Sequence, residues 1–99
     1  MKLLTEELKA QLPPLYAQDG AADPLVVAKF FTPWTRWTWY VTEGSEQDGD
    51  FLFFGLVVGH ERELGYFALS ELEAVAGPCG LRIERDLFFQ PQRLSQLRE

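Results

Sequence analysis

The polar and apolar positions at the start of the chain follow a helical period. Leu4, Leu8 and Leu12 recur at intervals of four residues, so they form one apolar stripe on a helix. Thr5 is a suitable N-cap, and the two glutamates after it favour the positive end of the helix dipole. Two prolines follow Leu12 and end the pattern. The sequence therefore predicts a short amphipathic helix at about residues 5–11.

Five later segments have the composition or the alternation of β-strands. They are Leu25–Phe31, Trp37–Glu43, Phe51–Gly59, Leu64–Leu69 and Leu81–Phe88. The third of them is apolar on both faces, which predicts a central strand that is covered on both sides. The polar, acidic stretch from Glu43 to Asp50 predicts the connection of a hairpin.

A second helix is predicted after the fourth strand. Ser70 and Glu73 have the spacing of a capping box, in which each side chain bonds the other residue's backbone amide. A Gly-Pro pair at residues 77 and 78 ends this helix. Together the elements predict an α+β fold: a single domain over residues 1–99, with a mainly antiparallel sheet of about five strands and two short helices.

Composition fits this picture and narrows the class of protein. The chain has 99 residues, 46% of them hydrophobic, which is enough for one domain with a packed core. Cys79 is the single cysteine, so an intrachain disulfide is excluded and a reducing compartment is indicated. The N-terminus turns acidic too early for a signal peptide, and no apolar run approaches the length of a membrane span. We therefore expect a cytoplasmic protein with no membrane association.

The charge of the chain is unevenly distributed. The net charge is −6, and the segment 41–75 carries eight acids against one base, Arg62. Proteins that bind duplex DNA in the usual way neutralise phosphates with a basic surface. This chain has no basic stripe, so its charge argues against duplex binding.

The aromatic residues point to a candidate binding surface. Six of the eleven residues from Phe30 to Tyr40 are aromatic, including all three tryptophans. Strand alternation places two sets on opposite faces: Thr35, Trp37, Trp39 and Val41, and Trp34, Arg36, Thr38, Tyr40 and Thr42. We assign the first set to the core. The second set mixes large aromatics with an arginine, as contact surfaces often do, so we predict a binding site centred on Trp34, Arg36 and Tyr40. The alternative is a solvated strand face with Trp34 over a hydrophobic edge.

Two basic residues extend this predicted site. Lys29 lies beside the aromatic window, and Arg85 falls on the apolar side of the last predicted strand. A charged side chain at that position must either pair with another group or extend to the solvent at the edge of the core. An ion pair with an acid of a neighbouring strand would provide the partner, and anion binding is the functional alternative.

These patterns favour a non-enzymatic binding module with a protein partner or a second copy of itself. An alternative is single-stranded nucleic acid, because bases stack on aromatic rings and arginine contacts phosphate. A second alternative is a small hydrolase or metal enzyme that uses His60, Cys79 or the acidic turn. The spacing of these residues matches no known catalytic or metal motif, so we predict no catalytic residue, no metal ligand and no cofactor.

Several segments together resemble a bacterial family of domains of unknown function. They are Leu3–Leu8, Leu12–Tyr16, Lys29–Trp34, Trp37–Tyr40, Glu43–Gly44, Asp50–Gly55, Gly65–Phe67, Leu69–Glu73 and Ile83–Asp86. Members of that family occur as small stand-alone proteins and within long proteins of plasmids and conjugative elements. The resemblance covers most of the chain. It implies a mobile-element setting, near DNA-transfer or antirestriction functions, and an accessory role without assigned catalytic residues.

Overall fold

Residues 1–98, which the computed structural model describes, contain two α-helices and seven strands. The helices are α1 (Glu6–Gln11) and α2 (Leu69–Ala74). The strands are β1 (Leu25–Val26), β2 (Ala28–Phe31), β3 (Thr38–Gln47), β4 (Asp50–Val58), β5 (Arg62–Ala68), β6 (Glu84–Arg85) and β7 (Gln92–Arg93). Short 3-10 turns occur at Pro78–Gly80 and Leu94–Gln96. Neither helix has the length and apolar character needed to cross a bilayer.

The strands form one large sheet and one small one. The large sheet has five antiparallel strands in the order β5-β4-β3-β2-β6, and β1 pairs with β7 in the small sheet. The predicted α+β fold with a five-stranded antiparallel sheet and two short helices is therefore confirmed. The pairing of β3 with β4 shifts register between Val41 and Glu43, which marks a β-bulge.

The inner face of the large sheet carries the main core, under α1 and α2. Phe30 and Phe53 are fully buried with their rings edge to face at 5.4 Å, and Phe53 stacks on Phe67 at 5.6 Å. Burying one phenylalanine side chain contributes about 1.5–3 kcal/mol. Leu8 is buried on α1, and the Thr5 hydroxyl accepts a hydrogen bond from its amide at 3.2 Å. The predicted leucine stripe and N-cap of the first helix are confirmed.

A second, smaller cluster lies on the outer face of the sheet. Tyr40 and Leu56 are buried there, and side chains of the C-terminal segment pack over them: Phe89, Leu94 and Leu97. The outer face around Tyr40 and Leu56 is therefore covered by residues that come late in the chain. The outer face of β5 is left open, since Leu64 and Tyr66 are exposed.

The second helix begins earlier than its capping signal predicts. Its N-cap is Ala68, whose amide donates to the Glu71 carboxylate at 2.8 Å. The Ser70 hydroxyl instead bonds the carboxylate of Asp50 at the start of β4. The predicted capping box of Ser70 and Glu73 is therefore wrong. β5 runs directly into the helix, and the Ser70 hydroxyl is hydrogen-bonded to Asp50 instead of to a helix amide.

The last predicted strand is much shorter than its alternation suggests. Only Glu84–Arg85 pairs with β2: β2 ends at Phe31, opposite Glu84, and on the other side the chain turns after Arg85. Asp86 then closes a turn, in which its carboxylate accepts from the Phe88 amide at 2.9 Å. Leu87 is consequently exposed, although a strand continued through residue 87 would place it on the same face as the buried Ile83.

Candidate functional site

The residues of the predicted aromatic site do not share one exposed face. Tyr40 is only 4% exposed, and its ring lies 6.2 Å from that of Phe89. The placement of Tyr40 on an open surface is therefore wrong, because the C-terminal segment covers that side of β3. Arg36 is exposed in the turn between β2 and β3, whereas Trp34 is half-buried and packs against Gly77. The binding roles assigned to Trp34 and Arg36 stay predictions.

The exposure of Trp37 differs from the prediction, although its face does not: its ring lies 6.0 Å from that of Trp39, so both side chains lie on one side of the sheet. Trp37 precedes the first residue of β3 and is 37% exposed, with its ring 5.8 Å from the imidazole of His60. Trp39, by contrast, is buried in the main core as predicted. Trp37 is less buried because it lies at the edge of the sheet, one residue before β3, where the Thr32 amide donates to its carbonyl at 3.0 Å.

The two added basic residues hold the fold together. The Lys29 ammonium lies 3.7 Å from the Asp86 carboxylate and 5.8 Å from the centre of the Tyr40 ring. The Arg85 guanidinium donates to the Leu3 carbonyl at 3.2 Å and to the Thr5 hydroxyl at 3.3 Å. Arg85 thus finds neutral oxygens at the start of α1 rather than an acid on a neighbouring strand. Both side chains have structural contacts that account for their positions.

A different surface combines exposed aromatics, acids and a concave shape. It is a cleft of about 230 Å³ between the loop of residues 16–24 and the outer face of β3, β4 and β5. We call it the tyrosine cleft and define it by six of its lining residues: Tyr16, Asp19, Glu43, Phe54, Leu64 and Tyr66. Tyr16, Leu64 and Tyr66 are each more than half exposed, so the apolar part of the cleft faces solvent.

Glu43 forms the floor of the tyrosine cleft and anchors its loop. The residue is only 3% exposed, and its carboxylate accepts from the amides of Tyr16 at 2.8 Å and Gln18 at 2.7 Å. A buried carboxylate requires such donors, because burying an unpaired charge is costly. The β-bulge next to Glu43 gives β3 the local bend at which the strand meets the loop.

Gln18 fixes the other end of the loop. Its amide nitrogen donates to the carbonyls of Leu25 and Thr42, both at 2.9 Å, and its amide oxygen accepts from the Leu25 amide at 2.7 Å. The Leu15 amide donates to the Ser45 hydroxyl at 2.9 Å. The loop beside the cleft is therefore tied to β1 and β3 near both of its ends.

Tyr16 occupies a strained backbone conformation at the mouth of the cleft. Its φ of 74° lies in the left-handed region, which costs a residue with a Cβ about 1–2 kcal/mol. The bond from its amide to Glu43 holds the chain in that conformation. Strain of this kind is often found where a side chain must be presented for function. Here it directs the tyrosine outward, and the residue is 64% exposed.

The charged side chains that line the cleft, Asp19 and Glu43, are negative. Removal of water from its hydroxyl raises the pKa of Tyr66 above the ordinary 10.0, and a hydrogen bond with the Tyr16 hydroxyl raises it further. The charges of Glu43 and Asp19 act in the same direction. The Tyr66 ring also packs edge-on against Phe54 at 4.9 Å. Aromatic faces next to carboxylates attract cations, so the arrangement suits an ammonium or guanidinium group.

The residues of the alternative enzyme hypothesis lie elsewhere. His60 packs on Trp37, and Cys79 is exposed in the Pro78–Gly80 turn with a φ of 56°. Within residues 1–98, no three His, Cys, Asp or Glu side chains converge closely enough to hold a metal ion.

The tyrosine cleft was not visible in the sequence patterns. Tyr16 and Tyr66 lie fifty positions apart, and Glu43 sits in a stretch whose polar composition predicts a solvated turn. The sequence does carry one signal for an open apolar surface. Alternation puts Leu64 and Tyr66 on one side of β5, where Arg62 at the start of the strand is the charged residue.

The comparisons with known proteins identify the family of the chain. The family model DUF2958, described as a protein of unknown function, matches residues 3–98. Searches of curated proteins and of solved structures give no match. The match covers nearly the whole chain, so this chain belongs to the DUF2958 family.

Proposed function

We propose that this DUF2958 domain is a non-catalytic binding module that captures a basic segment of a protein partner at the tyrosine cleft. The observation that carries the proposal is the placement of two exposed tyrosines beside the carboxylates of Glu43 and Asp19. A lysine or arginine side chain gains from both, through cation–π attraction to the rings and Coulomb attraction to the acids.

A binding role fits the chemistry of the cleft better than catalysis does. Both oxygens of Glu43 accept backbone amides, so its carboxylate is committed to holding the loop. A general base must instead reach the proton that it abstracts, and a carboxylate that is only 3% exposed beneath the loop is poorly placed to do so. Exposed tyrosines supply large contact area with little loss of side-chain entropy, which is why they serve as anchors in protein interfaces.

The charge of the chain favours a protein partner over nucleic acid. The net charge is −6, and the acids are concentrated in residues 41–75, which contain β4 and β5. A polyanion would be repelled by this surface, whereas a basic protein segment would be drawn to it at long range.

The resemblance to domains of plasmid and conjugative-element proteins supplies the setting that we propose. Proteins that act on DNA carry lysine- and arginine-rich segments that contact phosphates. A partner of this kind, from DNA transfer or antirestriction, has the charge that the tyrosine cleft requires. The accessory role is then the capture of a DNA-handling protein through its basic segment.

Selection of peptides from a random nonapeptide phage library on the immobilised domain tests the proposal. We expect the enriched peptides to contain lysine or arginine and to bind Tyr66→Ala at least about tenfold more weakly, a loss of about 1.4 kcal/mol. Asp19→Asn should weaken them too, because it removes a charge without removing contact area. Arg36→Ala is the matched control, since Arg36 is exposed and lies outside the cleft.

Two results would overturn the proposal. One is a library that yields no enriched basic peptides. The other is enriched peptides whose affinity depends on Arg36 and not on Tyr66, which would favour the aromatic surface predicted from the sequence. Quenching of tryptophan fluorescence by oligothymidylate at low salt would support the nucleic-acid alternative instead.

A further inference from the structure

The outer edge of β5 is open. In the five-stranded sheet β5 is the terminal strand, and no other strand within residues 1–98 pairs with its outer side. β5 has seven residues, contains no proline, and presents Leu64 and Tyr66 as exposed side chains. Native proteins usually blunt such an edge, because its unpaired backbone groups recruit another strand. Here the charges are confined to Arg62 and Glu63 at the start of the strand.

The register of β5 shows which backbone groups face outward. The Ala68 amide donates to the Glu71 side chain and not to β4, so it points away from the sheet. Backbone groups of a strand alternate in direction with a period of two residues. Leu64 and Tyr66 share the direction of Ala68, and their N–H and C=O groups are therefore the ones presented at the edge.

We propose that the basic partner segment binds in an extended conformation and adds to β5 as a sixth strand. This inference rests on the proposed function and specifies how the partner is held. Backbone groups of the partner would pair with those of Leu64 and Tyr66, as in other cases of strand addition. Its side chains on the outer face would then stand next to Leu64 and Tyr66, since paired strands lie about 4.8 Å apart.

The acidic residues around the open edge of β5 favour a basic partner segment. Glu61 and Glu63 lie at the start of β5, and Glu71 and Glu73 lie in the helix that follows it. A lysine or arginine of the partner on the outer face would lie next to the Tyr66 ring, close to the acidic cleft. A basic residue of the partner on the opposite face would lie beside Glu63. Opposite charges across paired strands are favourable, and like charges are not.

The same charges disfavour a second copy of the chain at this edge. Two copies of β5 would bring together two segments that each carry eight acids and one base over residues 41–75. A basic extended segment avoids this repulsion and keeps the backbone pairing. The structure thus favours a heterologous partner strand over self-association.

Leu64→Pro tests the backbone pairing, with Leu64→Ala as the matched control. Both variants lose the leucine side chain, but only proline also removes the outward-facing N–H. Proline is tolerated on an edge strand where its missing N–H would face solvent. With a basic peptide selected on the tyrosine cleft, we expect Leu64→Pro to bind at least about tenfold more weakly than Leu64→Ala in fluorescence anisotropy. Equal affinity of the two variants would overturn the inference.

N-methylation of the peptide tests the same pairing without changing the protein. Methylating one backbone nitrogen at a time should weaken binding at every second position and leave the positions between unaffected, because a paired strand uses alternate amides. If no position matters while binding still depends on Tyr66, the added strand is refuted and the proposed function stands. If binding depends on neither, both fail. Concentration-dependent dimerisation in sedimentation that blocks the peptide would replace the partner strand by a second copy, and so overturn the inference.

Discussion

Replacing Glu43 by alanine should destabilise the domain strongly, although the residue lies in a segment with the composition of a turn. Its carboxylate accepts two backbone amides, at 2.8 and 2.7 Å, and is buried. A hydrogen bond to a charged group contributes about 1.5–3 kcal/mol, so removal of both costs about 3–6 kcal/mol. Release of Tyr16 from its left-handed conformation returns about 1–2 kcal/mol. The expected net loss is about 1–5 kcal/mol, against the roughly 5–15 kcal/mol typical of a domain.

Urea unfolding followed by tryptophan fluorescence measures this loss. With a slope of about 2 kcal/mol per molar urea, the Glu43→Ala midpoint should fall by roughly 0.5–2.5 M. Glu46→Ala is the matched control: Glu46 lies on the same strand, its side chain is 76% exposed, and its ion pair with Lys9 at 3.4 Å contributes under about 1 kcal/mol. Equal midpoints for the two variants would refute the anchoring role of Glu43.

Two further predictions concern β4. A Cβ on Gly55 would overlap the Tyr40 carbonyl oxygen, so Gly55→Ala should lower the free energy of unfolding in urea by more than about 3 kcal/mol. Gly65 lies directly opposite on β5 with open space around it, so Gly65→Ala should change stability by under about 1 kcal/mol. Similar losses in both variants would show that the close approach at Gly55 is unimportant. The Ser70 hydroxyl, helped by the Phe51 amide, holds the pKa of Asp50 below its ordinary 3.8, so the stability that this carboxylate contributes is present above pH 3.8 and lost as the pH falls through the lowered pKa. Ser70→Ala should raise the pKa of Asp50 in a carbon-13 carboxyl titration, and an unchanged value would contradict that cause.

Elements whose signals are local could be predicted from the sequence. The leucine stripe and threonine cap of α1 involve residues within one or two turns of each other, and both were correct. The hairpin of β3 and β4 was also recovered, because Asp48 and Gly49 adopt the positive φ angles that turn residues favour. The strand nevertheless runs on to Gln47, because residues 43–47 pair with residues 50–54 of β4. Gly44 also has a partner far away, since its amide donates to the Pro13 carbonyl at 3.0 Å.

The candidate site could not be predicted, because it depends on which segment covers each face. Alternation correctly separates Trp39 from Tyr40, but it does not show that Phe89 and Leu94 return to cover Tyr40. It also does not show that the outer face of β5 stays open. A periodic pattern records which side chains share a face, whereas burial depends on contacts between residues far apart in the chain.

The links between the two ends of the chain imply an order of events during folding. Strands β3, β4 and β5 follow one another directly, whereas Arg85 reaches back 82 positions to Leu3 and β7 pairs with β1. Closing long loops is slow relative to forming neighbouring hairpins. We therefore expect the three-stranded meander to gain amide protection early in pulse-labelling experiments, with the terminal segments docking afterwards. Until they dock, the tyrosine at position 40 is hydrated rather than enclosed.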